Sequence, residues 1–454
     1  MDFGFFDLLT LVGALGFFIY GMKVMSEGIQ KAAGNRLRNI LSAMTRNRYF
    51  GVLTGFLITA IIQSSSATTV MTVSFVNAGL LTLLESAGVM MGANIGTTVT
   101  AWLISIFGFK VKIAAISLPI IAIGFPMMFS KKSKTKSWGE FMIGFALLFL
   151  GLDALKHSVP DLKNNPDVLL FLSSYTDMGI LSTVMFIGIG TLITIIVQSS
   201  SAAMALTLVM CNNGWIPFET AAAMVLGENI GTTITAELAS LVANVHAKRS
   251  ARIHSMFNII GVTWMIFLMP YYLRAIDYIL IHTGMDSPLT NPESIPIALS
   301  YFHTAFNSSN VLLLIWFVPY LVNIATKMVS SKGEFDEEFH LEYIGFGLSN
   351  TAELSLVEAK KEVTKMGKIT RKVAGMVPKL LFEPDKKHTS KILAKIKKYE
   401  ELSDRMELEI ANYLAKTSEG DLSDKSTMEI REMLSIISDL ERIADITYQM
   451  SKVI

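Results

Sequence analysis

A polar tetrad placed inside apolar sequence constrains this chain more than any other feature. Gln63-Ser64-Ser65-Ser66 lies near the middle of the otherwise apolar run 51–76, and Gln198-Ser199-Ser200-Ser201 repeats it after 198 − 63 = 135 residues. A second pair keeps the offset: Gly92-Ala93-Asn94-Ile95-Gly96-Thr97-Thr98 and Gly227-Glu228-Asn229-Ile230-Gly231-Thr232-Thr233, 227 − 92 = 135. Two motifs duplicated in register mark an internal repeat. Polar groups are costly in hydrocarbon, so a duplicated polar cluster points to a transport site where two repeats meet.

The hydrocarbon reading comes from how charge is distributed. The chain is 51% hydrophobic and 17% charged with a net charge of +1, which gives no basic or acidic excess to suggest nucleic acid as a partner. After Val329 there are 20 Lys/Arg and 23 Asp/Glu, so 20 + 23 = 43 of the 39 + 38 = 77 charged residues sit in roughly the last quarter. Residues 1–329 therefore read as a membrane domain and 330–454 as a separate helical domain. The single cysteine, Cys211, excludes an intrachain disulfide and reads as a small buried apolar residue. The start, Met1-Asp2-Phe3, has no basic n-region and reads as the approach to an uncleaved first membrane helix.

Residues 8–25 are long enough to span. Lys31, Arg36, Arg38, Arg46 and Arg48 follow without an acid among them, which places that loop in the cytoplasm and the N-terminus outside. Leu37, Ile40, Leu41 and Met44 fall at helical spacing there and predict a helix lying on the membrane surface. The run 51–76 suits a re-entrant hairpin turning at the serines, because each arm of about a dozen residues covers only ~18 Å of a ~30 Å core. Stretch 80–107 reads as a crossing helix broken at Gly92 and Gly96, and 111–129 as its return to Lys131, Lys132, Lys134 and Lys136. The second copy follows: a helix at 141–155, in which Gly151-Leu152-Asp153-Ala154-Leu155 echoes Gly21-Met22-Lys23-Val24-Met25, and an external loop from Pro160 to Asp177. A hairpin at 181–210 and a broken helix at 218–242 complete its core, with Lys248, Arg249 and Arg252 marking the inner side. Spans at 253–272 and 298–324 close the domain. The two hairpins open to opposite sides, so the fold class is all-α: a polytopic membrane transporter with inverted repeats (about 8–130 and 138–327), re-entrant helical hairpins and broken helices, plus a cytoplasmic helical bundle.

A helix arm beginning at Ser65 or Ser66 presents unpaired backbone N–H groups and a positive dipole end, and nearby hydroxyls add donors. Such a site holds an anion without Lys or Arg. Unwound carbonyls at the Gly-x-Asn-Ile-Gly breaks, the Asn94 and Asn229 amides and the threonine hydroxyls are hard oxygen ligands that suit Na⁺. Glu228 departs from its counterpart Ala93 and reads as a cation ligand, a proton-linked group or a locally paired packing residue. His254 and His303 fit structural hydrogen bonds between helices better than a proton relay. No nucleophile–base constellation and no Walker loop occurs, so the chain reads as no enzyme and ATP-driven transport has no support in the sequence.

The doubled Gln-Ser-Ser-Ser, each followed by Asn-Ile-Gly-Thr-Thr, resembles the type II sodium–phosphate cotransporter family over roughly residues 13–327. Segments 251–258 (Ala-Arg-Ile-His-Ser-Met-Phe-Asn) and 302–307 (Phe-His-Thr-Ala-Phe-Asn) match the same family's habit. The resemblance implies inorganic phosphate as substrate, Na⁺ as coupling ion, no organic cofactor and a plasma-membrane location, the bacterial inner membrane. Ser64, Ser65, Ser66, Ser199, Ser200 and Ser201 would then face phosphate. Gln63, Thr68, Asn94, Thr97, Thr98, Gln198, Glu228, Asn229, Thr232 and Thr233 would shape the hairpins or bind Na⁺. Direction stays open: an exporter, a channel and a phosphate-sensing membrane protein are the alternatives.

In the tail, Leu356, Ala359, Val363 and Met366 keep a helical period, as do Leu393 to Ile410 and Ile430 to Ala444, predicting a three-helix bundle. Leu440-Glu441-Arg442-Ile443-Ala444-Asp445 resembles the Glu-x-x-x-Asp pattern of PhoU-like domains, which implies a metal at Glu441 and Asp445, although an acidic pair at i, i+4 is more often a solvated helix face. Three helices are half of such a unit, so the resemblance also implies a homodimer in which a second chain completes it.

Overall fold

The computed structural model describes residues 5–33, 47–77, 81–111, 113–158, 179–241, 243–330, 352–381, 386–418 and 422–453. Among these no strand occurs. The chain forms two compact units, one holding nearly all of it to Ser330 and the other holding Ser331–Ile454. The expected surface helix around Leu37 and Met44 and the loop from Pro160 to Asp177 lie outside the described residues.

The first unit opens with α1 (Phe5–Ala33), followed by a helical hairpin of α2 (Arg48–Ile62) and α3 (Ser65–Asn77). Asn47 caps α2 by accepting from the Tyr49 and Phe50 amides at 3.0 Å each. α4 (Leu83–Leu103) starts at a capping box, in which Glu85 accepts from the Thr82 amide and Thr82 accepts from the Glu85 amide. A π-helical stretch (Ile104–Lys110) and a 3₁₀ turn (Ile113–Ile116) lead into α5 (Ser117–Met128) and α6 (Ser133–Ser158). The second copy repeats the hairpin as α7 (Ile180–Val197) and α8 (Ser200–Asn212). Shifting α3 by 65 + 135 = 200 and 77 + 135 = 212 reproduces the bounds of α8. α9 (Phe218–Ser240), α10 (Val245–His282), α11 (Ile295–Leu314), a 3₁₀ turn (Ile315–Phe317) and α12 (Val318–Met328) complete the unit.

Among the described residues six helical segments are long and apolar enough to cross a membrane: Phe5–Ala33, Leu83–Lys110, Ser133–Ser158, Ile180–Val197, Val245–His282 and Pro292–Met328. The unit is a polytopic all-α membrane protein. Helix α9, expected to cross, carries Glu219, Glu228 and Glu237 and falls outside that set. Two bounds depart from the sequence reading. α6 begins before Lys134 and Lys136, and α10 runs through Lys248, Arg249 and Arg252 for 38 residues, ~57 Å at the helical rise. Basic residues expected as bare topological markers have acidic partners: Lys31 with Glu140 at 2.9 Å and Arg252 with Glu237 at 3.3 Å. Cys211 is buried and free, as expected.

The expected helix breaks do not occur. α4 runs uninterrupted through Gly92-Ala93-Asn94-Ile95-Gly96 and α9 through Gly227-Glu228-Asn229-Ile230-Gly231, so no unwound carbonyls arise there. The glycines serve close approach instead. A Cβ on Gly92 would collide with the Val52 carbonyl, and one on Gly227 with the Ile187 carbonyl, where 52 + 135 = 187. The irregular turns lie beyond the motifs, at Ile104–Ile116 and Ile315–Phe317.

α1 and α6, whose glycine motifs echo each other, pack along one another. Cβ atoms on Gly21, Gly28, Gly144 and Gly151 would collide with backbone at Leu148, Phe141, Met25 and Phe18 respectively. As numbers rise along one helix they fall along the other, so the equivalent helices are antiparallel. Repeats related by an axis in the membrane plane require that arrangement.

In the second unit, α13 (Ala352–Ala374), a short α14 (Val377–Leu381), α15 (Lys386–Ser418) and α16 (Asp424–Val453) enclose a core of Leu356, Ala359, Val363, Met366, Met406, Ile410, Leu414, Ile430, Met433 and Ile437. The three long helices and the periodic residues inside them are those the sequence predicts. Glu358 is buried in α13, where it accepts from the Tyr413 hydroxyl at 2.7 Å. Burial raises its carboxyl to about 8, and the Tyr413 bond and Lys361 only partly offset this.

Candidate functional site

The turn between hairpin arms is made by a glutamine in each repeat. Gln63 (φ 57°) and Gln198 (φ 56°) are the two non-glycine residues with positive φ among the described residues. Each closes its helix, the backbone N–H reaching Thr59 O at 2.7 Å or Thr194 O at 2.8 Å. Each side-chain amide donates to a last-turn carbonyl, Ala60 O or Ile195 O, at 2.6 Å. Glutamine thus satisfies the helix C-terminus in a backbone conformation that glycine or asparagine usually takes, a strained choice of the kind found at functional sites.

The first serine of each triad is a cap. Ser64 Oγ accepts from the Ala67 amide and Ser199 Oγ from the Ala202 amide, both at 3.2 Å. The second serine of each, Ser65 and Ser200, lines a small polar cavity where the two hairpin tips meet. Ser66 and Ser201 lie one position further on and do not line it. Asn94 and Thr97 from α4, Glu228, Asn229 and Thr232 from α9 and His303 from α11 complete the lining. Six of these eight form three pairs at the repeat offset: 65 + 135 = 200, 94 + 135 = 229 and 97 + 135 = 232. Among the described residues no Lys or Arg lines it.

Hydrogen-bond direction sorts the lining chemically. Thr97 donates to Ala93 O (3.0 Å), Thr232 to Glu228 O (2.8 Å) and Asn229 Nδ2 to Val225 O (2.9 Å). Asn94 Nδ2 donates to Asn258 Oδ1 at 2.7 Å. The threonine hydroxyls spend their one hydrogen on the protein and each asparagine directs one of its two amide hydrogens there, which leaves the hydroxyl and amide oxygen lone pairs available, the property a cation needs. The space open to the centre of a water molecule is about 10 Å³, room for about one water. A tetrahedral oxyanion enters only if the tips part.

The other expected site residues sit outside the cavity. Thr68 is fully buried inside hairpin one, where it accepts from Thr59 at 2.9 Å, and Gln63 Oε1 accepts from Thr100 at 2.9 Å. The counterparts in repeat two are Ala203 of hairpin two at 68 + 135 and Thr235 of α9 at 100 + 135; Thr235 bonds its own helix and Gln198 is exposed. Thr98 and Thr233 bond carbonyls of their own helices. Two participants were not legible as site residues: Thr207, which donates to Glu228 at 2.7 Å, and Asn258, which orients Asn94. Asn258 lies in one of the segments carrying the family resemblance; nothing in the sequence marks Thr207.

In the second unit, Glu441 and Asp445 on α16 face Glu400 and Asp404 on α15, a second Glu-x-x-x-Asp pair that sequence reading missed. Partial burial, then mutual repulsion, holds the Glu400, Asp404 and Glu441 carboxyls above their usual range. Among the described residues no group of three or more His, Cys, Asp or Glu is arranged to hold a metal.

Fold and cavity together define a duplicated polytopic membrane protein whose two hairpins converge on one polar site. The chain belongs to the Na⁺/Pi-cotransporter family, whose model matches residues 17–157 and 171–285, and the PhoU domain model matches residues 363–454. It is 25% identical over 98% of its length, and 77% of the relative's, to YjbB of Escherichia coli (strain K12), a protein named for inorganic phosphate export. An uncharacterized Bacillus subtilis (strain 168) protein, YqeW, is 27% identical over 71% of this chain and 97% of its own. The human sodium-dependent phosphate transport protein 2B is 36% identical over 22% of this chain and 15% of its own. No solved structure matches.

Proposed function

We propose that this chain is a secondary carrier that moves inorganic phosphate across the bacterial inner membrane, coupled to Na⁺ by alternating access. The observation that carries the reading is the convergence of three residue pairs at the repeat offset on one cavity that, among the described residues, has no basic side chain. The Ser65 and Ser200 hydroxyls, each in the first turn of a helix, supply anion donors backed by the positive ends of α3 and α8. The Asn94, Asn229, Thr97 and Thr232 oxygens face the same space and suit Na⁺. Placing Na⁺ beside phosphate cancels charge that a low-dielectric interior would penalise, which is why the two move together.

The hairpins are the gates. Hairpin one is stapled by Thr59 to Thr68, by Gln63 to Thr100 and by Ser26 to the Ile62 carbonyl, whereas hairpin two lacks the first two of these links. Hairpin two is held instead to α9, by Thr191 to the Gly227 carbonyl at 3.0 Å and by Thr207 to Glu228 at 2.7 Å, so the two gates are fastened by different bonds. The PhoU domain lies in the cytoplasm and regulates the carrier, with a second copy of the chain completing its acidic face. Export is a second reading, favoured by the similarity to an export-named protein along nearly the whole chain, tail included.

Radiolabelled phosphate flux into proteoliposomes, with Na⁺ replaced by choline, tests the proposal. Saturable Na⁺-dependent flux is expected, and Ser65→Ala with Ser200→Ala should abolish it in folded protein. Wild-type flux in that double variant would overturn the site, and flux indifferent to Na⁺ would overturn the coupling. Net phosphate efflux from loaded vesicles under an imposed inward Na⁺ gradient would decide for export.

A further inference from the structure

The cavity is two-fold in its hydroxyls and amides but not in charge. Glu228 is 3% exposed and lines the cavity, while its counterpart Ala93 (228 − 135 = 93) carries no charge. Among the described residues Glu228 accepts one side-chain hydrogen bond, from Thr207, and no cationic side chain pairs with it. A carboxylate in this position repels a phosphate entering beside Ser200. An unpaired buried charge is destabilising unless something compensates it.

We propose that Glu228 is the seat of a monovalent cation belonging to repeat two alone, and that the bound cation sets the position of hairpin two. This deepens the carrier reading and rests on it. The local oxygens fit such an ion. The Thr232 hydroxyl has given its hydrogen to a backbone carbonyl and Thr207 its own to the carboxylate, while Asn229 donates through Nδ2 to Val225 O, so the two hydroxyl oxygens and Asn229 Oδ1 are acceptors. The link to the gate is Thr207, which stands on α8, the second arm of hairpin two, while Glu228 stands on α9. The corresponding residue of hairpin one, Thr72 (207 − 135 = 72), donates to Thr68 O at 2.7 Å within its own helix and makes no such bridge. A cation at Glu228 thus acts on the arm that carries Ser200, and on that arm only. Two sources supply the shared chemistry, Na⁺ and a proton.

The test measures cation binding on purified full-length protein without phosphate, as the rise in unfolding temperature on replacing choline by Na⁺ at constant ionic strength, repeated from pH 6 to pH 8. Wild type is expected to be stabilised in a saturable way, and Glu228→Gln to bind about tenfold more weakly or not at all. Stabilisation by Na⁺ that Glu228→Gln removes identifies the ion as Na⁺. Stabilisation by acid in choline, also removed by Glu228→Gln, identifies a proton. A Glu228→Gln response equal to wild type in both series overturns the seat. If Glu228→Gln does not fold, Thr207→Val replaces it: the carboxylate remains but its hydrogen bond is lost, and an unchanged cation response then overturns the proposal. Failure of the carrier reading is separable, because wild type that binds cation at Glu228 yet moves no phosphate refutes the carrier and leaves the seat standing.

Discussion

At the scale of single residues, the two turn glutamines share one strained conformation but differ in what holds them. Left-handed backbone costs an L residue roughly 1–2 kcal/mol, and glycine escapes that cost. Gln198→Gly should therefore raise stability by up to about 1 kcal/mol, since the one bond its side chain gives up, to Ile195 O, is an exposed one. Gln63→Gly gains the same relief but leaves the Thr100 hydroxyl buried without its acceptor, a loss of ~1–3 kcal/mol, so it should be neutral or destabilising. Thermal unfolding of both variants in detergent checks the order, and Gln63→Gly proving the more stable would refute it. The duplicated motifs were legible because a fixed offset is visible in the letters. Which serine of each triad meets the cavity was not, because that depends on where the helix begins: the first serine becomes the cap, and the second then turns inward.

At the scale of helices, the three-helix core of the second unit holds a titratable group that ties its stability to pH. Glu358 is raised to about 8 when folded against an ordinary value near 4.5, so it is neutral in the fold at pH 7. Its stabilising contribution is complete below about pH 4.5 and is lost as pH rises through about 8, because the unfolded chain releases the proton more readily. Hydrogen exchange of α13 and α15, corrected for the intrinsic rate, should show protection falling between about pH 5 and pH 8 and levelling off above that. Glu358→Gln, which can still accept from Tyr413, should flatten that fall, and a wild-type curve already flat would contradict the assignment. The core of this unit was readable from periodicity, since apolar spacing alone specifies the buried face of a helix. Helix breaks at Asn94 and Asn229 were misread for an equally physical reason. Glycine serves both a broken helix and a tightly packed one, and only the partner backbone at Val52 and Ile187 tells them apart.

For the molecule as a whole, the PhoU region and the membrane unit have separate cores, so removing one need not unfold the other. A chain ending at Val329 is expected to keep Na⁺-dependent phosphate flux and to lose its regulation. Flux measured in proteoliposomes, alongside size-exclusion profiles showing a well-folded membrane unit, checks this; an inactive but folded truncation would make the tail part of the carrier. Antiparallel repeats could be anticipated from loop charges and span lengths. Pairings such as Lys31 with Glu140, 109 residues apart, could not, because sequence carries no signal of which distant charges meet.

The glycine contact between α1 and α6 carries one more consequence. Bare backbone meets bare backbone at mirrored places, Gly21 against Leu148 and Gly151 against Phe18. A bulkier side chain admitted on either strand of that seam has to be answered on the other. The two halves, though written separately in the chain, are thus bound to drift as a pair, and an ancient duplication stays readable where it touches itself.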